Sequence, residues 1–489
     1  MTSEPVVSIS APRDLALHDI VVVGGGLAGL CAAVHAQELG LRVVLIEQGD
    51  GERYPCNSRY SGGIVHIGFH DPHRPPEQLI DVINRVTGGD VDPGVADAVA
   101  RDGRRLLRWL QSHGTRFMRF NFKEGYKWSM APPRRRRPGT DWEGRGPDVT
   151  LRRLMVVFLR NGGTLSLRTR ARELIVEEGR CTGVVADRDG QEIAFRGRFV
   201  VIADGGFQSD AELFRANIGP HFEEVFQRGA ANAHGDGIRM AQKVGAGLTR
   251  CDRFYGHLLH RDALTNPKLW PYPQADELAV AGIVVDANGK RLFDEGVGGV
   301  GLANLLASRQ DVSPVFAVFD AKVWDGPGRT ARIPANPLMT NAGATFFSAD
   351  TVRALADEAG IDADGLAETV RAYNEALAHK RGADLTPPRQ RGVMPQPLDT
   401  PSYRAFPLLP GITYTMGGLL IDGHGAVLRA DRTPIPGLFA AGAATGGLEG
   451  GNFGYVGGLI KAGVFGLRAA DQIAEQGKLV GAARGVEER

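Results

Sequence analysis

Three consecutive glycines, Gly24–Gly26, interrupt the chain between the apolar run Ile20–Val23 and the stretch AGLCAAVHAQELG. A short β-branched run ending in glycines and followed by a small-residue amphipathic stretch predicts strand, tight turn and helix. The spacing Gly24-x-Gly26-x-x-Gly29 gives each glycine a task. Gly24 permits the turn, Gly26 lets the backbone approach a pyrophosphate, and Gly29 lets helix and strand pack closely. With Ala28 inside it, this turn aims a helix N-terminus at phosphate charge. A second apolar run, RVVLIEQGD, follows in register and ends in Glu47 and Gln48, where a carboxylate accepts hydrogen bonds from ribose hydroxyls. The chain is therefore expected to bind a dinucleotide.

Composition narrows the partners. With 489 residues the chain has room for two or three domains. A net charge of +1 offers no global field for nucleic acid or anionic membrane. Arg134–Arg137, in PPRRRRPG, is a local exception that reads as a solvated loop, or as the source of one arginine for a substrate carboxylate. Cys31, Cys56, Cys181 and Cys251 show no CxxC spacing, so neither a disulfide framework nor a metal site is expected, and a reducing, cytoplasmic setting fits. Residues 1–18 lack the basic and apolar regions of a secretory signal, and no run reaches the eighteen apolar residues of a membrane span.

The predicted organisation is a nucleotide fold split by an insertion. Residues 1–18 are an extension, and 19–256 and 415–489 form the two parts of the nucleotide domain. Residues 257–414, where composition shifts, form an inserted α+β capping domain. Residues 76–118 read as helices, 119–147 as a loop, and 235–246 as a helix with Asp236 near its start. The meander 164–204 ends in an apolar strand running into Asp204-Gly205-Gly206, a second junction suited to the cofactor. The segment GLFAAGAATGG returns to the first domain before a small-residue helix at 458–477.

Together these pieces resemble the fumarate reductase and 3-ketosteroid dehydrogenase superfamily of flavoproteins over about residues 19–475. The resemblance rests on VVVGGGLAGLCAA with Glu47, NSRYSGG (57–63), VVIADGGF (200–207), GDG (235–237), TMGGL (415–419) and GLFAAGAATGG (437–447). It implies an α/β fold, a Rossmann-like FAD-binding domain interrupted by the capping domain, with the pyrophosphate over Gly24–Gly29. It places the ribose at Glu47 and the isoalloxazine near Ser61, Gly62, Gly63, Leu459 and Ile460. Asn57, Ser58, Asp204, Gly205, Asp236 and Gly442 complete the implied set. Ala443 stands where the family usually has glutamate. No histidine occupies the covalent attachment point, so the FAD is expected to be non-covalent.

The implied reaction moves two hydrogens across a carbon–carbon bond, with a protein base taking a proton beside a carbonyl that needs hydrogen-bond donors. At the substrate end the chain departs from fumarate reductases. Tyr414 stands at the HTMGG histidine, Tyr455 at an arginine, and Gly299 at the acid arginine. Tyr455-Val-Gly-Gly-Leu459 looks instead like the segment with which ketosteroid dehydrogenases hold a ketone oxygen. Tyr455 is thus the expected carbonyl holder, and Tyr414, His257, Tyr255 and Tyr126 are the other catalytic candidates. Trp128 is a further lining candidate, and His260 reads as surface. The expected activity is desaturation of a steroid or smaller cyclic ketone, with or without a carboxylate. A tricarballylate-like polycarboxylate dehydrogenase, a fumarate-reductase-like enzyme and a non-catalytic flavin subunit are the alternatives. The electron acceptor is open, and no second fingerprint for NADH is found.

Overall fold

The computed structural model describes residues 18–122, 125–133, 141–269, 275–329, 338–389 and 395–487. The glycine turn lies at the centre of an eight-stranded sheet. His18–Val23 pairs in parallel with Val43–Ile46 on one side and Gln191–Ile202 on the other, with Val21 opposite Val44 and Val200. Thr164–Ser166 and Pro434–Ala440 continue the parallel sheet outward, and Ala426–Leu428 adds an antiparallel edge. Such apolar strands persist because both faces are covered, which is why they read as continuous rather than alternating runs. Val23, Ile46, Ile202 and Ala440 end at the same edge, the position where open parallel sheets bind ligands.

The helix Leu27–Glu38 buries Leu27–Val34 and Ala36, because it lies between this sheet and the long helix Gly458–Glu487. Gly24 adopts φ +99°, a conformation that side chains resist. At Gly29 the constraint is space, since a Cβ there would fall 1.9 Å from the Gly24 carbonyl oxygen.

A six-stranded sheet gathers the middle of the chain. Its spine is the 13-residue strand Tyr403–Thr415, paired with Phe226–Gln227, Phe254–His260, Val315–Phe319 and Phe347–Ala349. The expected boundary at 256/257 falls inside Phe254–His260, and Phe226–Gln227 of the same sheet precedes it. The spine carries its C-terminal end, Thr413–Thr415, into the edge where the parallel strands stop.

Two segments depart from expectation. The region 76–118 holds helices Pro76–Thr87 and Pro93–Ser112, but then enters a strand at Phe117. The expected loop after residue 118 is in part a hairpin, Phe117–Phe122 with Gly125–Met130, docked on Ile64–Val65. Aromatic residues recurring at every second position fit a strand's period, a signal obscured by the arginines and prolines that follow. Arg134–Arg137 lie outside the described residues.

Gly29→Ala is expected to lower stability by about 1–3 kcal/mol, the range for overpacking a filled site. A thermal melt reads the shift, and a wild-type midpoint would show that the turn tolerates the methyl group.

Candidate active site

A continuous cleft, open to solvent and spanning about 1820 Å³ with its mouth, runs along the edge where the parallel strands end and under the six-stranded sheet. One half is shaped for a dinucleotide. Gly24, Gly26 and Ala28 line it, and the Leu27–Glu38 helix starts there without a side-chain cap from Gly26. The Leu27 N–H donates instead to Ser58 Oγ at 3.1 Å. Glu47, 5% exposed, accepts from the Gly25 and Gly49 amides at 2.7 and 2.8 Å. Burial pushes its carboxyl above the usual range, opposed by those amides.

Asp204 extends this acid-lined wall. Its Oδ2 accepts from the Gly237 N–H, while Oδ1 is buried without a partner. Burial, with help from Asp236 and Glu47, raises its pKa to about 7. An amide-lined glycine turn, a carboxylate at the second strand's end and an unsatisfied buried acceptor match what a dinucleotide's pyrophosphate and hydroxyls need. Gln48, Ser61, Gly62, Gly63, Gly205 and Gly442 line the same cleft. Several side chains there serve the protein. Asp236 forms a two-point pair with Arg170, Asn57 bridges the Thr413 carbonyl and the Ala230 N–H, and Ser61 Oγ bonds the Ser58 carbonyl.

The other half is aromatic. The Tyr455 and Tyr255 rings stack at 3.9 Å and 19°, and Tyr414 stands 5.6 Å from Tyr255. His66 and Phe69 stack on each other and meet the Tyr455 ring edgewise. Because strand residues two apart share a face, Tyr255 and His257 project together from Phe254–His260. Their Oη and Nε2 lie 3.0 Å apart, and His257 Nδ1 lies 2.5 Å from Asp276 Oδ2. Burial lowers the His257 pKa and outweighs the Asp276 carboxylate. It also holds the Tyr455 and Tyr414 phenols well above their ordinary range, so both keep their protons.

A charged network underlies this half. Tyr414 Oη donates to the buried Glu449 carboxylate, whose Oε1 also accepts from the Val456 and Gly457 amides at 3.0 and 2.8 Å. Lys461 Nζ, on a fully buried side chain, lies 3.3 Å from Glu449 Oε2 and donates to the Thr445 carbonyl.

The cleft thus collects Tyr455, Tyr414, His257 and Tyr255. The Tyr414 hydroxyl, however, is engaged by Glu449. Leu459 lines the cleft, whereas Ile460 is packed in the core and is not among the lining residues. Gly29 likewise serves helix packing. Trp128 is 8% exposed and donates to Asp71, away from the cleft lining. The Tyr126 side chain lies outside the described residues. His260 is not a surface residue: it is 1% exposed and bonded to the Thr345 carbonyl and the Asp262 N–H. Asp276, Glu449, Lys461, His66 and Arg228 escaped the sequence reading. No motif spacing signals them, although some of their partners are close in sequence, Val456 and Gly457 to Glu449 and Phe69 to His66.

A glycine turn at the carboxyl edge of a parallel sheet, roofed by a second sheet, is the setting of a dinucleotide-binding protein. The chain belongs to the FAD binding domain family, whose model matches residues 19–457. It is 25% identical over 464 residues to a fumarate reductase (cytochrome) of Shewanella frigidimarina, covering 91% of this chain and 74% of that one. It is 26% identical over 579 residues to a 3-oxosteroid 1-dehydrogenase of Mycobacterium tuberculosis, covering 94% and 98%. The fold superposes on the 3-ketosteroid Δ1-dehydrogenase of Sterolibacterium denitrificans with a TM-score of 0.72 at 20% identity, covering 94% of this chain and all of that one. The protein is an FAD-dependent oxidoreductase of this family. Among the described residues no helix is long and apolar enough to cross a membrane.

Glu449→Ala strands the Lys461 ammonium in the interior. Urea unfolding should show a loss of about 3–5 kcal/mol, and a loss below about 1 kcal/mol would mean that the pair behaves as a surface one. Asp204 gives a pH signature. Its folded pKa is raised from 3.8 to about 7, so its stabilising contribution is complete below 3.8 and lost as pH rises through about 7. In the FAD-free protein, Asp204→Asn should reduce the stability lost between pH 5 and pH 8 by roughly 2–4 kcal/mol. Parallel profiles for both proteins would contradict the assignment.

Proposed function

We propose that this protein is an FAD-dependent desaturase that introduces a carbon–carbon double bond α,β to the carbonyl of a cyclic ketone. The observation that carries the reading is the substrate end of the cleft, where neutral phenols are stacked. Tyr455, its proton held by burial, is an O–H donor suited to a ketone oxygen that gains charge as the enolate develops. A neutral donor stabilises that charge without demanding a carboxylate in the ground state. Bound FAD supplies a two-electron acceptor for the hydride.

The remaining contacts follow the two halves of the cleft. Gly24, Gly26 and Ala28 would hold the pyrophosphate, with the helix N-terminus behind them. Glu47 and Gln48 would hold the adenosine ribose, and Ser61–Gly63, Gly442 and Leu459 would line the ring end, with no covalent link expected. The six-stranded sheet covers the substrate end of the cleft and would keep water from the reacting carbons. Asp204, Gly205 and Asp236 shape the wall between them.

Arg228 favours a second reading. It lines the same cleft, its stem lies against Gly411 opposite His257, and its Nη1 donates to Thr413 Oγ1 at 2.9 Å. A guanidinium there suits a carboxylate, either on a cyclic keto acid or on a polycarboxylate. Anaerobic mixing of the enzyme with cyclic ketones, steroids and polycarboxylic acids, read as bleaching of the flavin, separates the two. Ketones are expected to bleach it, and bleaching by polycarboxylates alone would replace the first reading with the second. Tyr455→Phe should slow reduction by the active ketone about 10²–10³-fold, as for a lost oxyanion donor. A wild-type rate would remove Tyr455 from that role.

A further inference from the structure

Position 299 has no side chain, and the structure shows what fills its place. A Cβ on Gly299 would fall 2.0 Å from Asp276 Cγ. The Asp276 carboxylate, at the start of the helix Asp276–Ala281, occupies that volume and reaches His257. Its Oδ1 accepts from the Leu258 N–H at 2.8 Å, so the group is fixed at both oxygens. His257 continues the line to Tyr255, whose ring lies face to face with Tyr455.

From this geometry we infer that Asp276, His257 and Tyr255 form a proton relay in which Tyr255 is the catalytic base and Asp276 is a positioning residue. The inference rests on the ketone reading above. His257 donates Nδ1–H to Asp276, which leaves the Nε2 lone pair for the Tyr255 hydroxyl. As the substrate's α-carbon loses its proton to Tyr255 Oη, the hydroxyl proton passes to His257 Nε2. Asp276 then faces the imidazolium. The electron pair of the broken Cα–H bond becomes the new π bond, while the β-hydride leaves to the two-electron acceptor that bound FAD would supply. A carbonyl oxygen and its α-carbon are attached to the same carbon, so the donor and the base must be neighbours. The stacking of Tyr455 on Tyr255 meets that demand.

The groups facing His257 are Asp276, Tyr255 and Arg228, with Tyr414 and Tyr455 beyond Tyr255. Burial and Arg228 keep the imidazole neutral, and Asp276 is the group opposing them. The rate should therefore fall as acid protonates His257. Removing the Asp276 charge should move that acidic limb to lower pH.

The test compares FAD-loaded wild type with Asp276→Asn, which retains an acceptor for Leu258. With whichever cyclic ketone bleaches the wild-type flavin, kcat should fall about 10²–10⁴-fold, the range for losing a histidine's orienting carboxylate. KM should change little, and the acidic limb should shift downward. A wild-type kcat with an unmoved limb overturns the relay. A second readout needs no substrate: the far-downfield proton resonance of a histidine N–H held by a carboxylate should be present in wild type and absent in Asp276→Asn. Its absence from wild type, or its persistence in the variant, also overturns the relay. If no ketone reduces the wild type yet the resonance behaves as expected, the ketone reading fails, and the relay is then judged by kcat on the donor that does reduce it.

Discussion

Glu449 holds together parts of the chain that are far apart in sequence. Its carboxylate accepts from Tyr414 on the spine of the second sheet and from the Val456 and Gly457 amides just before the long C-terminal helix. It also pairs with Lys461 on the first turns of that helix. A buried carboxylate with one missing partner is strongly unfavourable, so these elements are fixed in one arrangement or the site does not form. The position of Tyr455 depends on this, because Tyr455 immediately precedes the two amides that Glu449 holds.

The two halves of the cleft use different means for their chemistry. The nucleotide half relies on backbone: glycine turns, strand ends and a helix N-terminus, with side chains such as Asn57 and Asp236 engaged mainly in holding loops in place. The aromatic half relies on side chains from several segments: Tyr255 and His257 from one strand, Tyr414 from the strand paired with it, and Tyr455 from the loop before the C-terminal helix. Substrate preference is therefore separable from cofactor binding. Relatives named for different substrates, a fumarate reductase and a 3-oxosteroid dehydrogenase, match nearly the same length of this chain.

The same division explains what could be read from the sequence. The glycine turn, the strands around it and the Glu47 end were legible because spacing along one short segment encodes them. Tyr455 was visible by resemblance of a single glycine-rich segment. Asp276 was not, since it meets His257 across nineteen residues and two elements, and PQADELAV carries nothing unusual. Glu449, within LEGGNFG, reads as a loop acid until the helix bearing Lys461 folds over it. His260 was misplaced because its polarity suggested solvent, whereas the Thr345 carbonyl and the Asp262 amide satisfy both ring nitrogens inside the protein. The hairpin Phe117–Phe122 with Gly125–Met130 was missed because its partner strand, Ile64–Val65, is remote.

Gly299 and Asp276 form a steric pair, and this limits how the protein can change. Any side chain added at 299 collides with the carboxylate at 276, so a residue cannot be introduced there while Asp276 keeps its place. Shortening Asp276 first would open the space but release His257. If the relay operates as proposed, exchange between this arrangement and one with a working side chain at 299 passes through a disabled single mutant from either direction. The two arrangements are neighbours in structure but are separated in sequence by a pair of linked replacements.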